Sequence, residues 1–95
     1  MFKTDPPSFD CAKAATPVER LICRYPQLSS LDSAMANSYQ QALKGASEQR
    51  KKIIRRQQAE WFAEYSRACN APLSEEERAG CIDRYLSDRL NTIWQ

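Results

Sequence analysis

An all-α fold, a small disulfide-stapled bundle of one short and three longer helices, is what this 95-residue sequence predicts. Three observations carry that expectation. The segments CAKAATPVERLIC (11–23) and CNAPLSEEERAGC (69–81) share one plan, aligning Cys11 with Cys69, Thr16 with Ser74, Glu19 with Glu77, Arg20 with Arg78 and Cys23 with Cys81. Apolar residues recur at helical spacing over three longer segments. No alternating β-branched run bounded by turn residues occurs, so no sheet is expected.

The first helix is predicted over 17–24. Thr16-Pro17-Val18-Glu19 has the form of a capping box, with proline at the first helical position, where a missing N–H is harmless. Tyr25-Pro26 ends it, because the residue before a proline avoids helical geometry. A second helix is predicted over 27–44, with Leu28, Leu31, Met35, Tyr39, Ala42 and Leu43 on one stripe and Gly45 as its stop. Ser47-Glu48 then opens a third, over 48–68, striped by Ile54, Trp61, Tyr65 and Ala68 and broken by Asn70-Ala71-Pro72-Leu73.

The fourth helix starts from the second capping box, Ser74 with Glu77, and Glu75 and Glu76 place negative charge at the positive end of its dipole. Ile82, Leu86, Leu90 and Ile93, with Tyr85 beside them, carry its stripe to Trp94. Gly80 inside this helix costs about 1 kcal/mol relative to alanine, a cost that crowding near the neighbouring cysteine would justify. Short connections favour antiparallel neighbours among the longer helices, with the first helix across one end. Residues 1–10 read as an extended N-terminal segment and 11–95 as a single four-cysteine helical domain.

Four cysteines and no histidine leave disulfides, a thiolate metal site or reactive thiols. Structural zinc sites bring thiolates in pairs two to four residues apart, whereas eleven residues separate the members of each pair here. A cysteine nucleophile needs a proton acceptor such as imidazole, and the chain has none. Four cysteines allow three disulfide connectivities, of which the duplicated plan favours Cys11–Cys23 and Cys69–Cys81. Each bridge would close a loop worth up to roughly 3 kcal/mol, a large share for a domain whose core alone leaves stability marginal. Disulfides imply an oxidising compartment, the periplasm or the cell exterior.

Composition excludes several classes. With 42% apolar and 27% charged residues and only two glycines, the chain is globular rather than disordered or collagen-like. No apolar run approaches the roughly 20 residues that span a bilayer. The N-terminal MFKTDPP lacks the apolar stretch of a signal peptide, as a mature secreted form also would. A net charge of +2 selects neither a polyanionic nor a cationic partner.

The run PSFDCAKAATPVERLICRYPQLSSLDSAMANSYQQAL, with QAEW at 58–61, Cys69, and Cys81 leading into Tyr85 and Arg89, resembles the LprI-like lysozyme-inhibitor family of small secreted bacterial domains. The resemblance covers roughly residues 7–94. It implies a secreted helical domain with Cys11, Cys23, Cys69 and Cys81 in bridges, and a protein that blocks bacterial cell-wall lysozyme without catalysis. An envelope structural or adaptor role without lysozyme inhibition is the alternative.

Other signals have plain structural readings. QRKKIIRR (49–56) has the composition of a phosphate-binding patch, but Lys51, Lys52, Arg55 and Arg56 point away from the Ile54–Trp61 stripe, as charges on a solvated face do. Nucleic acid is therefore not the expected partner. Glu75 and Glu76, together with Asp10, are candidates for meeting a basic protein locally, and Trp94 is a candidate aromatic anchor. Trp61 and Tyr39 are assigned to the core. Without histidine, a glycine-rich phosphate loop or a demonstrable carboxylate pair, neither an enzyme nor a cofactor is expected.

Overall fold

The computed structural model describes residues 6–93, so Trp94 lies outside the described residues. A 3-10 turn over Cys11–Lys13 is followed by α1 (Pro17–Arg24), α2 (Pro26–Lys44), α3 (Glu48–Cys69) and α4 (Glu75–Thr92). Among the described residues there is no strand.

Both capping boxes form. Thr16 Oγ1 accepts from the Glu19 N–H at 3.1 Å while the Glu19 carboxylate accepts from the Thr16 and Ala15 N–H groups, both at 3.0 Å. Ser74 and Glu77 repeat the exchange at the start of α4. Proline opens α2 as well as α1, and Tyr25 is the single residue between them, held extended at φ −110° and ψ 115°. Pro26 thus serves as a starter, which moves the beginning of α2 one residue earlier than predicted.

Local bonds then fix the turn between α1 and α2. The Leu28 and Ser29 N–H groups both donate to the Tyr25 carbonyl, and Ser29 Oγ, buried, donates back to the Ile22 carbonyl at 2.6 Å.

The core gathers Val18, Leu21 and Ile22 from α1, Leu28 and Met35 from α2, Tyr65 and Cys69 from α3, and Ile82 and Leu86 from α4. Burying each large apolar side chain contributes roughly 1.5–3 kcal/mol. α2 packs most extensively on α4, and α1 lies against both. The short helix therefore supplies a third layer of contacts to the core. The first turns of α3 are looser: Ile54 is the only buried residue between 48 and 57, and Arg50, Lys52, Arg55 and Arg56 are exposed.

Two disulfides form, Cys11–Cys23 and Cys69–Cys81, with Cα atoms 5.9 Å and 5.6 Å apart. The lead-in that carries Cys11 is ordered as the 3-10 turn, because Asp10 Oδ1 accepts from the Ala12 N–H at 3.0 Å. The two staples differ in exposure. Cys69 is fully buried, whereas Cys11 is exposed.

The expectation for Gly80 fails. A Cβ at this position would meet nothing within 4 Å, and the residue is exposed, so no crowding at the bridge explains the glycine.

Arg78 and Asn70 lock the junctions. Arg78 donates from Nε to the Cys69 carbonyl at 3.0 Å and from Nη2 to the Ala71 carbonyl at 2.8 Å, pairing acceptors at the α3 C-terminus. Arg20, its counterpart in the duplicated plan, is exposed. Asn70 Oδ1 accepts from the Val18 N–H at 2.9 Å across 52 positions of chain.

Candidate functional site

Tyr25 and the first two turns of α4 face each other across a groove of about 760 Å³, lined by Tyr25, Gln27, Leu28, Glu75, Glu76, Ala79, Gly80, Asp83 and Arg84. Its side on α4 follows from helical periodicity, since Glu76, Gly80 and Asp83 fall four and three residues apart and share a face. Leu28 and Ala79 give it apolar surface, and Gly80 leaves it without a side chain midway along.

Glu75 is positioned by α1. The Arg24 guanidinium pairs with Glu75 Oε1, and the Tyr25 hydroxyl donates to Glu75 Oε2 at 3.0 Å. That hydrogen bond raises the Tyr25 pKa, because losing the proton would set a phenolate against a carboxylate. Three carboxylates, Glu75, Glu76 and Asp83, line the groove against the guanidinium of Arg84, and Arg24 on α1 offsets Glu75 from outside the lining, which leaves a small negative excess. Locally the groove is acidic although the whole chain carries +2. The lining is complementary in charge and surface to a basic side chain flanked by apolar atoms.

Of the residues singled out from sequence, Glu75 and Glu76 come together here. Asp10 does not line the groove, and its carboxylate is engaged in capping the 3-10 turn. Sequence reasoning missed Tyr25, Arg24 and Asp83. Asp83 was readable as the next position on the Glu76 face; Arg24 and Tyr25 were not, since they reach Glu75 only through the packing of α1 beside α4.

The remaining aromatic and basic signals fall elsewhere. Trp61 is half-buried, stacked on Tyr65 at a centroid distance of 4.9 Å, with the Arg89 guanidinium 5.9 Å from its own ring centroid. Arg89 Nε donates to Gln58 Oε1 at 2.8 Å, and burial lowers the Arg89 pKa. These residues hold α3 to α4. Lys51, in the basic stretch, pairs with Glu48 at 3.1 Å. All four cysteines are consumed by the bridges. No helix among the described residues is long and apolar enough to cross a membrane.

Comparison with known proteins gives a partial likeness. The chain is 53% identical over 36 residues to proteins named lipoprotein LprI from Mycobacterium bovis and Mycobacterium tuberculosis, a stretch covering 38% of this chain and 18% of those proteins. It thus spans under a fifth of the length of the curated relatives it matches. No protein-family profile matches the chain, and no solved structure matches it.

Proposed function

From that partial likeness to LprI lipoproteins, together with the acidic groove, we propose that the chain is an extracytoplasmic protein-binding module that inhibits lysozyme by physically covering the enzyme. The observation that carries the proposal is the convergence of Glu75, Glu76 and Asp83 on one groove beside apolar Leu28 and Ala79. A net charge of +2 gives no long-range attraction to a cationic enzyme, so recognition rests on this local charge. A basic side chain of the partner enters the groove, and the rim formed by Tyr25 and α4 supplies the contact area around it. The two disulfides support a periplasmic or secreted location.

The test is the rate at which lysozyme clears a cell-wall suspension, with and without a micromolar excess of the protein. Inhibition is expected, and Gly80→Leu, which fills the groove from a position where a Cβ meets nothing, should abolish it while leaving the fold intact. Glu76→Lys should act in the same direction through charge. An unchanged clearing rate with the wild-type protein would remove lysozyme of that type as the target. Full inhibition by both variants would keep the target and move the contact surface away from the groove.

A further inference from the structure

A second cavity, sharing no residue with the acidic groove, lies where the N-terminal segment crosses α1, α2 and the end of α3. It measures about 340 Å³ and is lined by eleven residues, among them two carboxylates, Asp32 and Glu19, and no lysine or arginine. Apolar surface comes from Phe9, Val18, Ile22 and Phe62, and Tyr65 adds a third ring.

Two polar groups on this lining are buried: Asp32, which anchors Ser8, and the Tyr65 hydroxyl, which is left unpaired among the described residues. Asp32 is only 6% exposed, and among the described residues it forms no ion pair. The Ser8 N–H and the Ser8 hydroxyl both donate to the same oxygen, Oδ2, at 2.6 Å, so Oδ1 stands outside that pair of bonds. Tyr65 is 3% exposed, and its buried hydroxyl has no hydrogen-bond partner among the described residues. Buried hydroxyls are ordinarily paired, and an unpaired one beside a cavity that also carries a carboxylate and no cation marks a place prepared for a ligand group. Burial first, and then the negative charge of Asp32, raise the Tyr65 pKa, which keeps the hydroxyl protonated in the neighbourhood of the carboxylate.

We propose that this cavity binds a small organic amine, its ammonium group held between Asp32 and the Tyr65 hydroxyl and its apolar body held among Phe9, Ile22 and Phe62. The sign of the ligand follows from the lining, which has carboxylates and no cation. The need for donors follows from Asp32, which as a carboxylate only accepts, and from Tyr65 Oη, which can accept as well as donate. Aromatic rings add the attraction of their faces for a cation. The volume suits a ligand the size of a single-ring amine. Phe62 is 54% exposed although it is a large apolar residue, and as part of the cavity wall it gives that surface a use.

Titration with phenethylamine, followed by amide chemical shifts of the full chain, tests this. Saturable shifts confined to residues near Ser8, Val18 and Ser66 are expected, and the neutral analogue 2-phenylethanol should bind about tenfold more weakly, the ratio a charge-assisted hydrogen bond supplies. Asp32→Asn should weaken phenethylamine by a similar factor. Because Asp32 also anchors Ser8, Phe62→Ala provides a variant at an exposed ring with little risk to folding, and it should weaken the amine several-fold. Equal binding of phenethylamine and 2-phenylethanol would reduce the cavity to an apolar hole and overturn the proposal. Absence of saturable shifts at millimolar amine, or unchanged affinity in Phe62→Ala, would overturn it as well. All of these readouts are independent of lysozyme.

Discussion

Replacing Asn70 by alanine removes one hydrogen bond, and its cost can be worked from the start of α1. A helix leaves its first N–H groups without intrahelical partners. In α1, Pro17 has none to satisfy, the Glu19 N–H donates to Thr16 Oγ1, and the Arg20 N–H donates to the Thr16 carbonyl. Val18 alone depends on another part of the chain, through its 2.9 Å bond to Asn70 Oδ1. Val18 is 5% exposed, so water replaces that acceptor poorly. Leaving a buried donor unpaired costs about 1–3 kcal/mol. With about 4–8 °C of melting temperature per kcal/mol in a domain this small, Asn70→Ala should lower Tm by roughly 4–24 °C. Asn70→Asp keeps an acceptor and faces the positive end of the α1 dipole, so it should recover most of the loss. Thermal unfolding by circular dichroism reads the shift, and hydrogen exchange at the Val18 amide localises it. If the alanine and aspartate variants melt together, or if Asn70→Ala melts with the wild type, the account of α1 as a helix completed by α3 is wrong.

Further expectations follow from other contacts. Gly80→Ala should stabilise the protein by about 0.5–1 kcal/mol, since alanine favours the helix and its Cβ meets open space; a loss of stability in urea unfolding would contradict this. The Glu19 pKa is lowered by hydrogen bonds from the Ala15 and Thr16 N–H groups, so its contribution is fully present above the ordinary value of 4.5 and is lost as pH falls through the lower folded value. Glu19→Gln should therefore lower stability at pH 7 and flatten its fall in acid, read from denaturation midpoints between pH 6 and pH 2. With a dithiol reductant under native conditions, Cys11–Cys23 should open before Cys69–Cys81, because Cys11 is exposed and Cys69 is fully buried; alkylation and peptide mapping over time would show the opposite order if exposure does not govern access.

What could be read ahead of the structure was local. Thr16 with Glu19 and Ser74 with Glu77 bond within four residues, and their spacing alone specifies the arrangement. The cysteine pairs were legible for the same reason, each closing within the segment that repeats the plan. Pro26 was misjudged by one residue because a proline after a helix signals a stop, yet a proline at the first position also starts the next helix. Asn70 read only as a breaker; its work as an acceptor for Val18 exists once α3 ends beside α1. Asp32 and Ser8 were invisible for a related reason. A buried aspartate inside an amphipathic helix looks like an ordinary polar position until the chain preceding the first cysteine folds across it. Gly80 was given a steric purpose that the open space around it denies.

In an exported chain, the short reach of each bridge bears on the order of assembly. Once Cys23 has emerged from a secretion channel, oxidation of the first pair requires nothing that follows it in the polypeptide. A crosswise link from Cys23 to Cys69 would have to close a loop several times longer, at an added entropic cost of ~1 kcal/mol. Exported as proposed, the chain would favour its native sulfur pairing while translocation is still under way, and the second half would arrive to find α1 already fastened to its own lead-in.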